Sequence, residues 1–180
     1  MLVNALSVTN QSGLHVLAGH LEQLAGSLPD RARFIVLCRE DMVGLRDALG
    51  SRADWTFAPT ATRHWLSRAL WERRNLPRLV CQLGTADYFT PSGFAAPLPA
   101  GVVQVVFCQN PWALVPAARR RRDFLKAWLQ RRAYCRAMRV ATVMVFNSRY
   151  IQEAYRANAG FREKRGLVVH QAPDDATRAR

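Results

Sequence analysis

Leu2-Val3-Asn4-Ala5-Leu6-Ser7-Val8, then Thr9-Asn10-Gln11-Ser12-Gly13, then a run in which Leu14, Leu17, Leu21 and Leu24 recur with Ala18 and Ala25 on the same face: this stretch decides the fold. The opening residues are apolar and β-prone, the middle ones make a small polar turn ending in glycine, and the rest has helical periodicity. Strand, tight loop and helix form the basic unit of an open α/β sheet. That unit sets the loop and the free N–H groups of the helix at the carboxyl edge of the strand, where such sheets bind ligands. Asn10, Gln11, Ser12 and Gly13 are therefore the first candidate site, one wall of a cleft. With one glycine, the loop matches neither GxGxxG nor GxxxxGK[ST]. A dehydrogenase-type dinucleotide and NTP hydrolysis are both disfavoured.

The alternation continues down the chain. Arg33-Phe34-Ile35-Val36-Leu37-Cys38 reads as a second strand, with the apolar run of a strand covered on both faces. Asp41 precedes Met42, Val43, Leu45 and Leu49 as the cap of a short helix that stops at Gly50. Trp55-Thr56-Phe57 predicts a third strand. Thr60 or Thr62 caps a helix through Trp65, Leu66, Ala69 and Leu70 that ends before Pro77. Leu79 to Leu83 predicts a fourth strand, and Gly84 to Gly101, rich in proline and containing Asp87-Tyr88-Phe89-Thr90, a long irregular connection that is either functional or a surface excursion with an aromatic plug. Val102 to Phe107 is the most emphatic strand, expected at the centre of the sheet. It runs into Cys108-Gln109-Asn110-Pro111-Trp112, a second candidate wall. Thr142 to Phe146 and Gly166 to His170 are further strands. Between them Asn147-Ser148 makes a turn and cap for a helix with Tyr150, Ile151, Ala154 and Tyr155 on one face. About seven strands alternating with helices predict one α/β domain: a Rossmann-like, mostly parallel sheet with helices on both faces.

Charge is the boldest compositional feature. The chain of 180 residues carries a formal +13, which implies an anionic partner such as nucleic acid, acidic lipid or a phosphorylated ligand. Much of it falls in residues 116–139, where Arg119, Arg120, Arg121, Arg122, Lys126, Arg131, Arg132, Arg136 and Arg139 face one acid, Asp123. On a helical wheel Phe124, Ala127, Trp128, Tyr134, Cys135 and Met138 share an arc interrupted by Arg131, with Arg132, Arg136 and Arg139 beside it, so the segment is a basic and only moderately amphipathic helix. Three readings stand for this helix. It is a solvated or core-covering helix; a surface on anionic lipid, with Trp128 and Tyr134 as interfacial aromatics; or a nucleic-acid contact, disfavoured because no nucleic-acid-binding motif accompanies it.

Other chemistries find little support. Cys38, Cys81, Cys108 and Cys135 form no CxxC pair, so neither zinc nor disulfides are expected. Cys38, Cys81 and Cys108 read as reduced thiols packed as small hydrophobes. His15 and His20 do not share a helix face, His64 and His170 are isolated, and no GxSxG elbow is present, so neither a metal site nor that hydrolase chemistry is expected. No apolar run approaches the ~20 residues of a membrane span, and no basic n-region opens the chain. The expected location is the cytoplasm, with peripheral contact at the inner face of the membrane.

Taken in order, these pieces resemble the N-terminal domain of family-4 glycosyltransferases, enzymes of two-domain GT-B architecture. The likeness rests on Leu2–Val8 with Ser12-Gly13-Leu14-His15-Val16, on Val105-Val106-Phe107-Cys108-Gln109-Asn110-Pro111, on Val143-Met144-Val145-Phe146-Asn147-Ser148-Arg149-Tyr150-Ile151, and on Gly166 to Asp175. This chain has Ser12-Gly13 where the family commonly has Gly-Gly, Cys108-Gln109-Asn110 where it commonly has a histidine after the central strand, and Gln171-Ala172-Pro173-Asp174 where it usually has Asn-Gly-Val-Asp.

The resemblance implies that residues 1–175 are the acceptor-side domain and that 176–180 are a tail or the start of an interdomain linker. It implies transfer from a nucleotide-sugar, a co-substrate of the complete enzyme and no resident cofactor, to a glycan or lipid-linked acceptor. Asn10, Gln11, Ser12 and Gly13 would touch the donor phosphate or the acceptor. Gln109 and Asn110 would line the acceptor side, with Asn147, Ser148 and Arg149 nearby, and the basic helix would hold the domain near an anionic membrane or a phosphate-bearing acceptor lipid. No catalytic residue is assigned. In this family the sugar nucleotide sits mainly on a C-terminal domain beneath a Glu-x7-Glu motif, and the chain stops where that domain would begin. Residues 1–180 alone are thus expected to have little transferase activity, their partner half missing or separately encoded. The alternatives are a non-catalytic α/β binding module and a basic nucleic-acid-binding protein.

Overall fold

The computed structural model describes residues 1–9, 11–27, 33–42, 45, 53–115, 123–159 and 166–170, with the backbone alone at 11 and 12. Seven parallel strands make one sheet: β1 (Leu2–Asn4), β2 (Phe34–Cys38), β3 (Ala53–Phe57), β4 (Asp87–Thr90), β5 (Val103–Cys108), β6 (Val143–Phe146) and β7 (Gly166–Val168). Their order across the sheet is β3-β2-β1-β4-β5-β6-β7. Among the described residues the helices are α1 (Gln11–Ser27), α2 (Trp65–Leu83), α3 (Phe124–Val140) and α4 (Arg149–Asn158). This is the Rossmann-like α/β arrangement expected from the alternation.

The two faces follow from the strand period of two. Val3, Ala5, Phe34, Val36 and Cys38 meet Leu17, Leu21 and Ala25 of α1 on one face. Leu2, Leu37 and Tyr88 meet Leu76 and Val80 of α2 on the other. Tyr88 pairs with Gln104 in register, so Val106 and Cys108 lie on the α2 face too. Tyr134, Ala137 and Met138 of α3 and Ile151 and Tyr155 of α4 pack there. The sheet grows one way from β1 to β3 and the other way from β4 to β7. Right-handed crossovers then put α1 on one face and α2, α3 and α4 on the opposite one.

Several local expectations change. β1 is shorter than residues 2–8: the Asn4 side chain accepts from the Leu6 N–H at 3.1 Å and Val8 N–H bonds the Ala5 carbonyl at 3.0 Å, which turns the chain. α1 begins at Gln11, so Gly13 belongs to its first turn and not to a loop. Residues 79–83 are no strand; they complete α2, which runs through Pro77 to Leu83. Leu76 and Val80, one turn apart, are buried on the sheet while Cys81 and Gln82 face outward. That apolar face outweighs the roughly 3 kcal/mol a helix-interior proline usually costs. The helix stops at Gly84, whose φ of 59° is open to glycine and lets its N–H bond back to Cys81.

Asp87–Thr90, expected inside an irregular connection, is β4 and takes the middle of the sheet, so that β5 lies beside the centre. Residues 91–102 are the unusual element. Parallel neighbours need a crossover, usually helical. Here an irregular strap runs back over the α2 face. Gln104, 4% exposed, grips it: its Oε1 accepts from Ala96 N–H at 2.8 Å and its Nε2 donates to the Ala96 carbonyl at 3.2 Å. Phe94 stacks on Tyr134 with centroids 5.1 Å apart. Gly93 N–H bonds the Phe107 carbonyl at 3.0 Å.

On α3 the buried residues are Ala127, Tyr134, Ala137 and Met138; Phe124 and Trp128, expected on the core arc, are exposed by 70% and 45%. The core face is rotated toward Ala137, which leaves Trp128 beside the neighbouring groove. Cys81 is likewise exposed, whereas Cys38 and Cys108 are buried as expected. Arg119–Arg122, Asn10, most of the helix expected over 41–49, and residues 171–180 with the expected linker lie outside the described residues.

Candidate functional site

The strand order reverses between β1 and β4, and at this switch point the carboxyl ends of parallel strands diverge to leave a crevice. A cleft of about 1120 Å³ lies over these two strands on the α2 face of the sheet, between α2 and α3, and reaches their carboxyl ends at Asn4 and Thr90. Its floor is made by Asn4 from β1, Tyr88 and Thr90 from β4, and the strap from Ser92 to Pro97. The cleft exists because of the strap. A helix between β4 and β5 would fill the space between α2 and α3, and a thin irregular segment does not.

At the floor lies a polar cluster. Asn4, 3% exposed, donates through Nδ2 to Glu72 Oε1 and to the Tyr88 hydroxyl oxygen, both at 2.9 Å. Together with the Leu6 N–H that its Oδ1 accepts, Asn4 is locked in one orientation. Beyond Tyr88, the Thr90 and Ser92 hydroxyls bond each other at 2.8 Å. Burial pushes the Glu72 carboxyl above its ordinary range, opposed by the Asn4 bond and by Arg68 one turn earlier on α2. Burial, with the Glu72 charge adding, pushes the Tyr88 phenol well above its ordinary range, so it stays protonated as a hydrogen-bonding group. Arg68 and the buried Arg39 both donate to the Leu6 carbonyl, at 3.1 and 3.2 Å, and Arg39 also pairs with Asp41 at 2.9 Å. The turn after β1 is thus fastened by two guanidinium groups.

The walls are basic. Arg68 and Arg73 line the cleft from α2, and Arg131, Arg132, Arg136 and Arg139 from α3, against one carboxylate among the described residues, Glu72. Arg132 lies over the Trp128 ring, 4.9 Å from its centroid. Arg131 Nε reaches the Asn158 carbonyl at 3.4 Å and Arg139 Nε the Cys135 carbonyl at 3.2 Å. Arg73, Arg132 and Arg136 form no ion pair among the described residues. Of the basic residues singled out in the sequence, these four α3 arginines come together in the cleft. Lys126 sits apart over Trp112, 5.6 Å from the ring centroid.

The remaining sequence candidates line the carboxyl edge and not this cleft. Gly13 lies in the first turn of α1, and Gln11 and Ser12 contribute backbone there. Gln109 and Asn110 directly follow β5. Asn110 Oδ1 accepts from Trp112 N–H at 2.9 Å and its carbonyl accepts from the Tyr134 hydroxyl at 3.2 Å, so Asn110 shapes its turn. Ser148 caps α4 by accepting from Ile151 N–H at 3.3 Å, and Arg149, the first residue of that helix, is exposed. Asn147 Oδ1 is buried without a hydrogen-bond partner among the described residues.

From sequence, Asn4 and Glu72 carry no candidate role; Tyr88, Thr90 and Ser92 fall within the connection over residues 84–101, marked there as a candidate functional segment with no residue of it assigned a role. The available signals were an asparagine inside an otherwise apolar strand and one glutamate in an arginine-rich helix. Among the described residues no group of three or more His, Cys, Asp or Glu side chains is placed to hold a metal ion, and no helix is long and apolar enough to cross a membrane. Comparison with protein-family models, with curated proteins and with solved structures returns no match.

Proposed function

We propose that this chain is the acceptor-side domain of a glycosyltransferase that moves a sugar from a nucleotide-sugar to a glycan or lipid-linked acceptor, acting with a second α/β domain that holds the donor. The observation that best supports this reading is the cleft at the β1–β4 switch point, where hydrogen-bonding groups for sugar hydroxyls (Glu72, Thr90, Ser92) lie among guanidinium groups. In this reading Gly13, Gln109, Asn110, Asn147, Ser148 and Arg149 stay at the carboxyl edge as contacts to the donor phosphate or the acceptor. The exposed Phe124 and Leu125 at the start of α3 favour work at a membrane surface, since apolar side chains beside arginines suit an interfacial helix. The passage from β1 into α1, whose one glycine lies in the first helical turn, matches neither GxGxxG nor GxxxxGK[ST], which makes the chain by itself a poor nucleotide site.

The test is a paired binding measurement: a panel of immobilised glycans, and titration of soluble nucleotide-sugars by calorimetry. Glycan binding with no nucleotide-sugar binding in the micromolar range is expected. Micromolar nucleotide-sugar binding with no glycan recognised would overturn the reading.

A further inference from the structure

We propose that the cleft between α2 and α3 binds a phosphate monoester of an apolar chain, its phosphate on the arginine ridge of α3 and its apolar body on the aromatic and aliphatic rim. The proposal rests on the acceptor-side reading only for the ligand's place in a reaction; the binding needs the cleft alone.

Spacing carries the first part. Arg132, Arg136 and Arg139 stand at i, i+4 and i+7, one ridge of α3 that faces the cleft over roughly 10 Å. Guanidinium forks match phosphate oxygens two at a time and stay charged at every working pH, so such a ridge favours a doubly charged phosphate over a lone carboxylate. Arg132 is steadied by Trp128, which lowers the entropy lost on binding. Glu72, on the opposite wall, repels the phosphate and so fixes the ligand's direction, phosphate toward α3.

The second part comes from the rim. Leu66, Trp128 and Val140 line the same cleft, yet they are exposed by 52%, 45% and 47%. A small inorganic anion would leave these surfaces in water. A chain of several methylene groups would cover them and remove that apolar area from water. Apolar surface therefore borders the arginine ridge within one cleft, the arrangement an amphiphilic phosphate fits.

The probe is octyl phosphate below its micellar concentration, titrated by calorimetry against the whole chain, with inorganic phosphate and octanol as comparators. Octyl phosphate should bind at least about tenfold more tightly than either. The double variant Arg132→Gln/Arg136→Gln should lose about tenfold or more, while Arg74→Gln, which removes an exposed α2 charge outside the cleft, should change affinity less than about twofold. Leu66→Ser should weaken octyl phosphate and leave inorganic phosphate unchanged. Phosphatidylcholine vesicles containing phosphatidic acid are then added as competitor. Competition assigns the ligand to a membrane lipid and its absence to a free phosphate ester; either keeps the site. Octyl phosphate no tighter than inorganic phosphate, or equal losses from the double variant and from Arg74→Gln in chains of unchanged circular dichroism, would overturn it. Arginine-dependent octyl phosphate binding in a chain that recognises no glycan would leave this site standing and remove the transferase reading.

Discussion

The strap depends on one side chain, and replacing Gln104 by leucine tests how much. Gln104 is buried, and its amide serves both the N–H and the carbonyl of Ala96. Leucine is similar in volume and keeps the backbone of β5, whose Gln104 N–H and carbonyl bond the Thr142 hydroxyl and N–H at 3.0 and 2.9 Å. The sheet should therefore survive while two backbone groups of the strap lose their partners. A buried group left unsatisfied costs about 1–3 kcal/mol, so the pair costs roughly 2–6 kcal/mol, and the greater apolar burial of leucine returns about 1 kcal/mol. A net loss of about 1–5 kcal/mol is expected from urea unfolding, a large share of the 5–15 kcal/mol a typical domain has.

A local measurement separates this cause from a general defect. Native-state hydrogen exchange should show the Ala96 amide losing protection while the β5 and β6 amides keep theirs. The strap is also the floor of the cleft, so octyl phosphate affinity should fall with it. A loss below about 1 kcal/mol with Ala96 still protected would refute the idea that Gln104 holds the strap.

Three further outcomes follow from the same packing. Gly93→Ala should destabilise by roughly 2–5 kcal/mol in urea titration, since it combines a strained backbone with overpacking. Its φ is 73°, and a Cβ there would stand 2.9 Å from the Tyr155 hydroxyl and 3.0 Å from Tyr134 Cε1. Glu72, faced by Asn4, Arg68 and Tyr88, holds its proton more tightly folded than unfolded, so wild-type stability should fall as pH rises from the ordinary carboxyl range through the folded value. Glu72→Gln keeps the acceptor for Asn4 and should flatten that fall, as read from urea midpoints between about pH 4 and about pH 7. Thiol titration of the folded chain should label Cys81 first and leave Cys38 and Cys108 unlabelled, because the first is exposed and the others buried, with burial pushing Cys108 up to about 12.

Sequence and structure agree where one physical rule dominates and diverge where two compete. β2, β5 and β6 are short, nearly continuous apolar runs rich in β-branched residues, with β2 buried on both faces and β5 and β6 fully buried on the α2 face, and a strand is the element that fits such runs at that length. Residues 76–83 satisfy two rules at once. The run Leu79–Leu83 reads as a strand after a proline, yet Leu76 and Val80 also fit a helix face, and packing against Leu2, Leu37 and Tyr88 decides for the helix. Moving that segment into α2 releases Asp87–Thr90 to be the middle strand, although four residues with an aspartate at their head show little periodicity by themselves. The basic ridge was legible at its helical spacing. What it faces was not, because the groove exists only where an irregular strap replaces a helix, and that replacement is set by Gln104 reaching back to Ala96. The floor was less legible still. Asn4 meets Glu72 and Tyr88 across 68 and 84 residues of chain, a meeting that follows from β1 and β4 being neighbours and from α2 crossing above them. A polar residue interrupting an apolar strand is the one local trace such a site leaves. Asn4, between Val3 and Ala5, was that trace, since a buried amide is retained only where it has partners to satisfy it.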